Sequence, residues 1–176
     1  MNQSTSVATV ESARKSTSST NPIPKSHDLV ILLCNVEKFL AKEDVRSALA
    51  ALSHSKLNSP WVINAMGVCQ LRQHNPKTAV DLFRSVVLTG GGIVFRNDIP
   101  LIFKTNYATA LLAANNVGGC QAILAEVRES HPAADRLQAA IQQWKSRLTL
   151  KQTLGRYLGF EVSTPVVLDF PLGDLE

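Results

Sequence analysis

A chain of 176 residues, 45% of them hydrophobic and 18% charged, is long enough to bury one sizeable core and is neither collagenous nor disordered throughout. The apolar run Leu29–Leu33 ends far short of the roughly 20 residues that a spanning helix needs. The net charge of +4 is mild, so its distribution matters more than its size.

Residues 1–26 are rich in Ser and Thr, nearly free of large apolar groups, and close on Pro22-Ile23-Pro24. They offer too little apolar surface to offset the entropy of ordering and read as a disordered tail. They also lack the apolar stretch of a secretory signal, which makes the cytoplasm the expected compartment. From Asp28 the pattern turns helical: Leu29, Leu32, Leu33, Val36, Phe39 and Leu40 recur at spacings of three and four and fall on one stripe. Lys42-Glu43-Asp44 interrupts it, and Val45, Ala48, Leu49 and Leu52 begin a second helix.

Ser59-Pro60 then supplies an N-cap and a first-turn proline for a helix carrying Trp61, Val62, Met66 and Cys69. Asn75-Pro76 repeats that start for a helix bearing Ala79, Leu82, Phe83, Val86 and Val87, with Gly90 expected to end it in the left-handed conformation. The triplet Gly90-Gly91-Gly92 is not a phosphate loop, since it follows a helix and lacks the G-x-x-x-x-G-K-[ST] frame. Ile93, Val94 and Phe95 form a partly apolar connection that tucks against the body. Two more helices follow, one through Phe103, Tyr107, Ala110 and Leu111, the other through Cys120, Ile123, Leu124 and Val127. His131-Pro132 opens a long helix, expected over about 133–158, with Leu137, Ile141, Trp144 and Leu148 along one seam. Residues 160–176 alternate apolar side chains with prolines and acids, which excludes a helix and predicts an extended tail or short edge strand.

The hairpins superimpose in sequence as Val36, Ala48, Leu52; Gly67, Ala79, Phe83; and Ala108, Cys120, Leu124, with internal separations of 12 and 4 in each. Small residues thus recur where two helices touch, and larger apolar ones a turn later. With Pro60 and Pro132 each 12 positions beyond the second residue of a triple, residues 28–132 resemble the tetratricopeptide repeat family. The repeat steps of 31 and 41 depart from the usual length of about 34, and valine stands at Val36 where the pattern has glycine.

The resemblance implies an all-α fold, an α-α superhelix of about three such hairpins over 27–159, closed by a long C-terminal capping helix. It implies a concave groove that binds a peptide or protein segment, with Val30, Leu33 and Glu37, then Trp61, Asn64, Val68 and Arg72, then Ile102, Thr105 and Thr109 facing the ligand. Leu33, Glu37, Ile102 and Asn106 occupy the places where carboxylate-clamping members carry lysines and asparagines, so an apolar or mixed segment is the expected ligand. One such segment is internal: the apolar, acidic tail beyond Phe160 can fold back on the basic helix before it.

The alternative is a nucleic-acid-associated or regulatory role for the basic face Lys145, Arg147, Lys151 and Arg156. Aromatic interleaving there is limited to Trp144 and Tyr157, so nucleic acid is not the expected partner; nor is a membrane. Cys34, Cys69 and Cys120 lack C-x-x-C spacing and read as buried reduced thiols. The four histidines lack H-E-x-x-H spacing, and no nucleophile elbow, Walker loop or dinucleotide fingerprint occurs. No catalysis, cofactor or metal is expected.

Overall fold

The computed structural model describes residues 26–90, 94–96, 98–127, 129–158 and 164–175. The expected N-terminal tail therefore lies outside the described residues except at its last position, as do Ile93 and the start of the C-terminal tail. Among the described residues the fold is all-α: α1 His27–Ala41, α2 Val45–His54, α3 Pro60–Arg72, α4 Pro76–Val87, α5 Leu101–Ala113, α6 Val117–Glu126, α7 Pro132–Ser146 and α8 Leu150–Tyr157. The first six pair as antiparallel neighbours, α1 with α2, α3 with α4 and α5 with α6. The odd-numbered helices also touch in series, α1 on α3, α3 on α5 and α5 on α7.

Three identical turns make the hairpins. In each, the helix ends in a left-handed residue, Glu43, His74 or Asn115, at φ 58°, 60° and 62°. The N–H of that residue donates to the carbonyl three back (Leu40, Leu71, Leu112), and the next N–H to the carbonyl five back (Phe39, Gln70, Leu111). This is the Schellman arrangement, which satisfies carbonyls that the helix end leaves orphaned. Side chains at Asp44 and Asn116 then accept from Ser47 N–H and Gly119 N–H and cap the following helix. Asn75 holds the same position, but its amide donates to Gln70 Oε1.

The hairpins close on the sequence triples. Val36, Ala48, Leu52, Gly67, Ala79, Phe83, Ala108, Cys120 and Leu124 are all buried. At the α3–α4 crossing Gly67 has no alternative, because a Cβ there would meet the Phe83 ring at 2.6 Å. Val36 is accommodated without exposure in the first hairpin.

Two helix ends differ from expectation. α4 stops at Val87 because Leu88 turns extended and bridges Phe95 antiparallel, with Thr89 N–H on Val94 O (2.8 Å) and Arg96 N–H on Val87 O (3.0 Å). Gly90 adopts no left-handed conformation. The single helix expected over 133–158 is broken into α7 and α8. Thr149 N–H donates to Gln152 Oε1 (2.9 Å) and Gln152 N–H to Thr149 Oγ1 (3.3 Å), a capping box that starts a new helix. Leu150 on α8 is 91% exposed, and Leu154 and Leu158 are exposed with it.

Cys69 and Cys120 are buried as expected, whereas Cys34 is exposed on α1, off the stripe that Val36 and Leu40 bury. Burial pushes the Cys69 thiol up to about 11, against a weaker opposing pull from Arg72, and the Cys120 thiol up to about 12.

Three outcomes follow from these features. Gly67→Ala forces the Phe83 ring from its place and lowers stability by about 1–3 kcal/mol in urea unfolding. Glu43→Gly and His74→Gly, which relieve left-handed strain, each raise stability by about 0.5–1 kcal/mol in the same assay. A raised folded-state pKa means that the two buried thiols contribute fully below about pH 9 and lose their contribution as pH climbs through about 11–12. The fall in stability above pH 9 is accordingly shallower in a Cys69→Ala/Cys120→Ala chain than in wild type, while at pH 8 a thiol reagent titrates Cys34 alone until the protein unfolds.

Candidate functional site

The face that α3, α5 and α7 share is built from small and polar side chains as well as apolar ones. Asn64 on α3 and Asn106 on α5 are 0% and 2% exposed, placed among Val68, Ile102 and Phe103 in the same core. An amide side chain in such surroundings must find partners or lose about 1–3 kcal/mol of desolvation per group. Asn106 Nδ2 donates to Asn64 Oδ1 at 3.1 Å, joining the two helices.

The remaining capacity of Asn106 goes to the C-terminal tail. Its Nδ2 also donates to Asp174 O at 2.7 Å, and Asp174 N–H donates to its Oδ1 at 3.0 Å. One side-chain amide thus reads both main-chain groups of one residue, as a neighbouring strand would. Arg72, from the last turn of α3, donates Nη2 to Gly173 O (3.2 Å) and Nη1 to Leu40 O at the end of α1 (3.3 Å). At the other end of the tail Trp144 Nε1 donates to Thr164 O at 2.8 Å, and Gln152 Nε2 donates to Thr164 Oγ1 at 3.1 Å. The segment therefore runs across α7, α5 and α3 and is held chiefly through its backbone.

Side chains add a second layer of contact. Along 166–172 the even-numbered residues Val166, Leu168, Phe170 and Leu172 turn inward and the odd-numbered Val167, Asp169 and Pro171 outward, the period of two that an extended chain imposes. Arg136 on α7 pairs with Asp174 at 2.7 Å and lies 5.5 Å over the Phe170 ring. Gly173 is left-handed, at φ 79°, with a would-be Cβ 3.0 Å from Val68 Cγ2, so the tail needs a glycine there for both space and backbone. Asn64 Nδ2 and Arg72 Nε, beside this seat, are buried without a hydrogen-bond partner among the described residues.

Of the residues that the sequence marks for a groove, Val68 and Arg72 touch the tail and Asn64 reaches it through Asn106. Trp61 packs edge-on against Phe103 at 5.0 Å and mends the α3–α5 junction. Ile102, Thr105 and Thr109 are buried, the two hydroxyls donating to carbonyls of their own helix. Leu33 is half-buried against the core and Glu37 exposed, both on α1. The contact of Asn106 with the tail leaves no local trace in the sequence, because it pairs residues 68 apart. Arg136, on the helix that the tail was expected to fold back on, meets the tail's Asp174.

The residues of the expected basic face lie at the C-terminal end of α7 and on α8. Arg147 is the C-cap of α7, Lys151 lies in α8, both exposed, and Lys145 is half-buried. The side chain of Arg156 lies outside the described residues. A separate concavity of about 440 Å³ between α6 and α7, lined by Gln121, Leu124, Asp135, Gln138 and Ile141 among others, holds one ionisable group, Asp135. Among the described residues no three His, Cys, Asp or Glu side chains are grouped to hold a metal, and no helix is long and apolar enough to cross a membrane.

Comparison with protein-family models, with curated proteins and with solved structures finds no match to this chain.

Asn106→Ala removes both main-chain contacts of Asp174 and the partner of Asn64 Oδ1, a loss of about 1–3 kcal/mol. Amide exchange across 164–175 then accelerates by roughly tenfold or more, since about 1.4 kcal/mol is tenfold in an equilibrium constant. The same measurement on Lys151→Ala, which alters an exposed α8 side chain, stays at the wild-type rate.

Proposed function

We propose that the chain is a non-catalytic protein-interaction module of the tetratricopeptide kind, an α-α superhelix in which the odd-numbered helices line the groove that receives an extended protein segment. It serves as an adaptor, scaffold or chaperone-like subunit in the cytoplasm. The observation that carries this reading is the seating of residues 164–175 across α7, α5 and α3 by donors aimed at main-chain atoms: Arg72 at Gly173 O, Asn106 at both groups of Asp174, Trp144 at Thr164 O. Groups that address the backbone are those a surface needs to hold an extended chain whatever its side chains, and they take the place of the ladder bonds of strand addition. The serial contact of α1, α3, α5 and α7 supports it as well, since it gives such a segment one continuous face to cross.

A displayed library of linear 12-residue peptides tests the proposal on the full chain carrying Gly173→Val, which loosens its own tail. Peptides enriched on this chain and lost when Asn106→Ala and Arg72→Ala are added place recognition on the odd-helix face. Equal enrichment on both chains moves recognition elsewhere, and no enrichment on either removes the peptide-binding reading.

A further inference from the structure

The docked tail is also a specification of what else the face will take. Resting on the groove reading above, we infer that the face binds in trans extended segments of the pattern aromatic-x-aliphatic-Gly-Asp, entered in the direction of Phe170-Pro171-Leu172-Gly173-Asp174, and that the tail competes with them for the same seat.

Some contacts of the tail are ones that any peptide makes, and others are ones that only some side chains allow. Thr164 O, Gly173 O, Asp174 N and Asp174 O are main-chain atoms and discriminate nothing. Pro171, Val167 and Asp169 are exposed and go unread. Val166 and Leu168 face inward upstream of the pattern. Within the pattern itself three positions are strongly selective. At position 173 the left-handed backbone and the Val68 methyl groups, at 3.0 and 3.2 Å from a would-be Cβ, admit glycine and oppose every other residue. At position 174 Arg136 stands 2.7 Å from the carboxylate while Asn106 holds the main chain, so the acid is presented in one geometry. At position 170 the same guanidinium covers an aromatic ring at 5.5 Å, so one arginine reads two side chains four residues apart. Leu172, half-buried between them, needs only an aliphatic group of similar size.

Tethering explains why the selective positions matter for competition. A segment joined to its own receptor acts at an effective concentration on the order of millimolar, so a free segment of equal quality binds the intact chain only at comparable concentration. An external partner succeeds by supplying a better version of the same pattern or by arriving after the tail has been released.

The test uses a fluorescently labelled peptide of residues 164–176 and two full-length chains, wild type and Gly173→Val/Asp174→Lys, with helix content compared by circular dichroism. Asp174→Ala serves as a second tail-weakened chain if the double variant loses helix. The tail-weakened chain is expected to bind the peptide at least about tenfold more tightly than wild type, by removal of the tethered competitor. On that chain, peptides with Gly173→Ala or Phe170→Ala are expected to lose about tenfold, and Asp174→Asn about threefold with a dependence on salt, because the ion pair is half exposed. A Pro171→Ala peptide keeps the parent affinity within about twofold. If the Gly173→Ala, Phe170→Ala and Asp174→Asn peptides all match the parent, the pattern is overturned while the groove reading stands. If the parent peptide binds neither chain, hydrogen exchange on wild type separates the cases: a protected 164–175 segment overturns recognition in trans alone, and an unprotected one overturns the groove as well.

Discussion

The contact on which the fold turns is the ring of Phe83 set against a backbone that carries no side chain. A two-helix hairpin with a three-residue turn has little freedom in how its helices cross, and the distance between them is decided by the residues at the crossing. Gly67 lets α4 press its aromatic ring onto α3. At the matching positions of the other two hairpins Val36, Ala48 and Leu52, and Ala108, Cys120 and Leu124, are buried as well. No hairpin can bury its second face alone. Stacking α1, α3, α5 and α7 in series does so for much of it and leaves a surface with polar groups in its floor.

Those polar groups give the tail its purpose in the energetics. Asn64 and Asn106 are buried where an apolar residue of equal volume would cost nothing, and they are costly unless bonded. The tail's main chain supplies two of the bonds to Asn106. The reverse also holds: an extended segment carries unpaired N–H and carbonyl groups that would be lost in an apolar trench, and the asparagine amide replaces the strand it lacks. Arg136 and Asp174, being partly exposed, contribute little to stability in comparison and more to register. Asn64 Nδ2 and Arg72 Nε, without partners among the described residues, show a seat that is not optimised for stability alone.

The charge asymmetry of the C-terminal third has a divided meaning in three dimensions. Arg136 neutralises the acid of the tail and stacks on its aromatic ring, whereas Arg147, at the C-cap of α7, and Lys151, on α8, are exposed to solvent. What reads along the sequence as one basic face is split by a capping box at Thr149 and Gln152. α8 carries exposed leucines rather than a buried stripe, which is why the seam of Leu137, Ile141 and Trp144 does not extend through it.

Helix identity, hairpin pairing and the crossing residues were legible in the amino-acid sequence, because each rests on local chemistry with a fixed spacing. Proline at the first turn, an apolar stripe at three and four, and a small residue 12 positions before another all act within one or two helices. The alternation of the tail was legible for the same reason, and it foretold an extended chain. Only the tertiary structure decided where that chain lies. Asn106 meets Asp174 across 68 residues and Arg72 meets Gly173 across 101, and nothing in the composition of either partner marks the other. Local order is set by neighbours along the chain. The recognition of Gly173 and Asp174 depends on how three helices are placed side by side, and that placement is a property of the packed core.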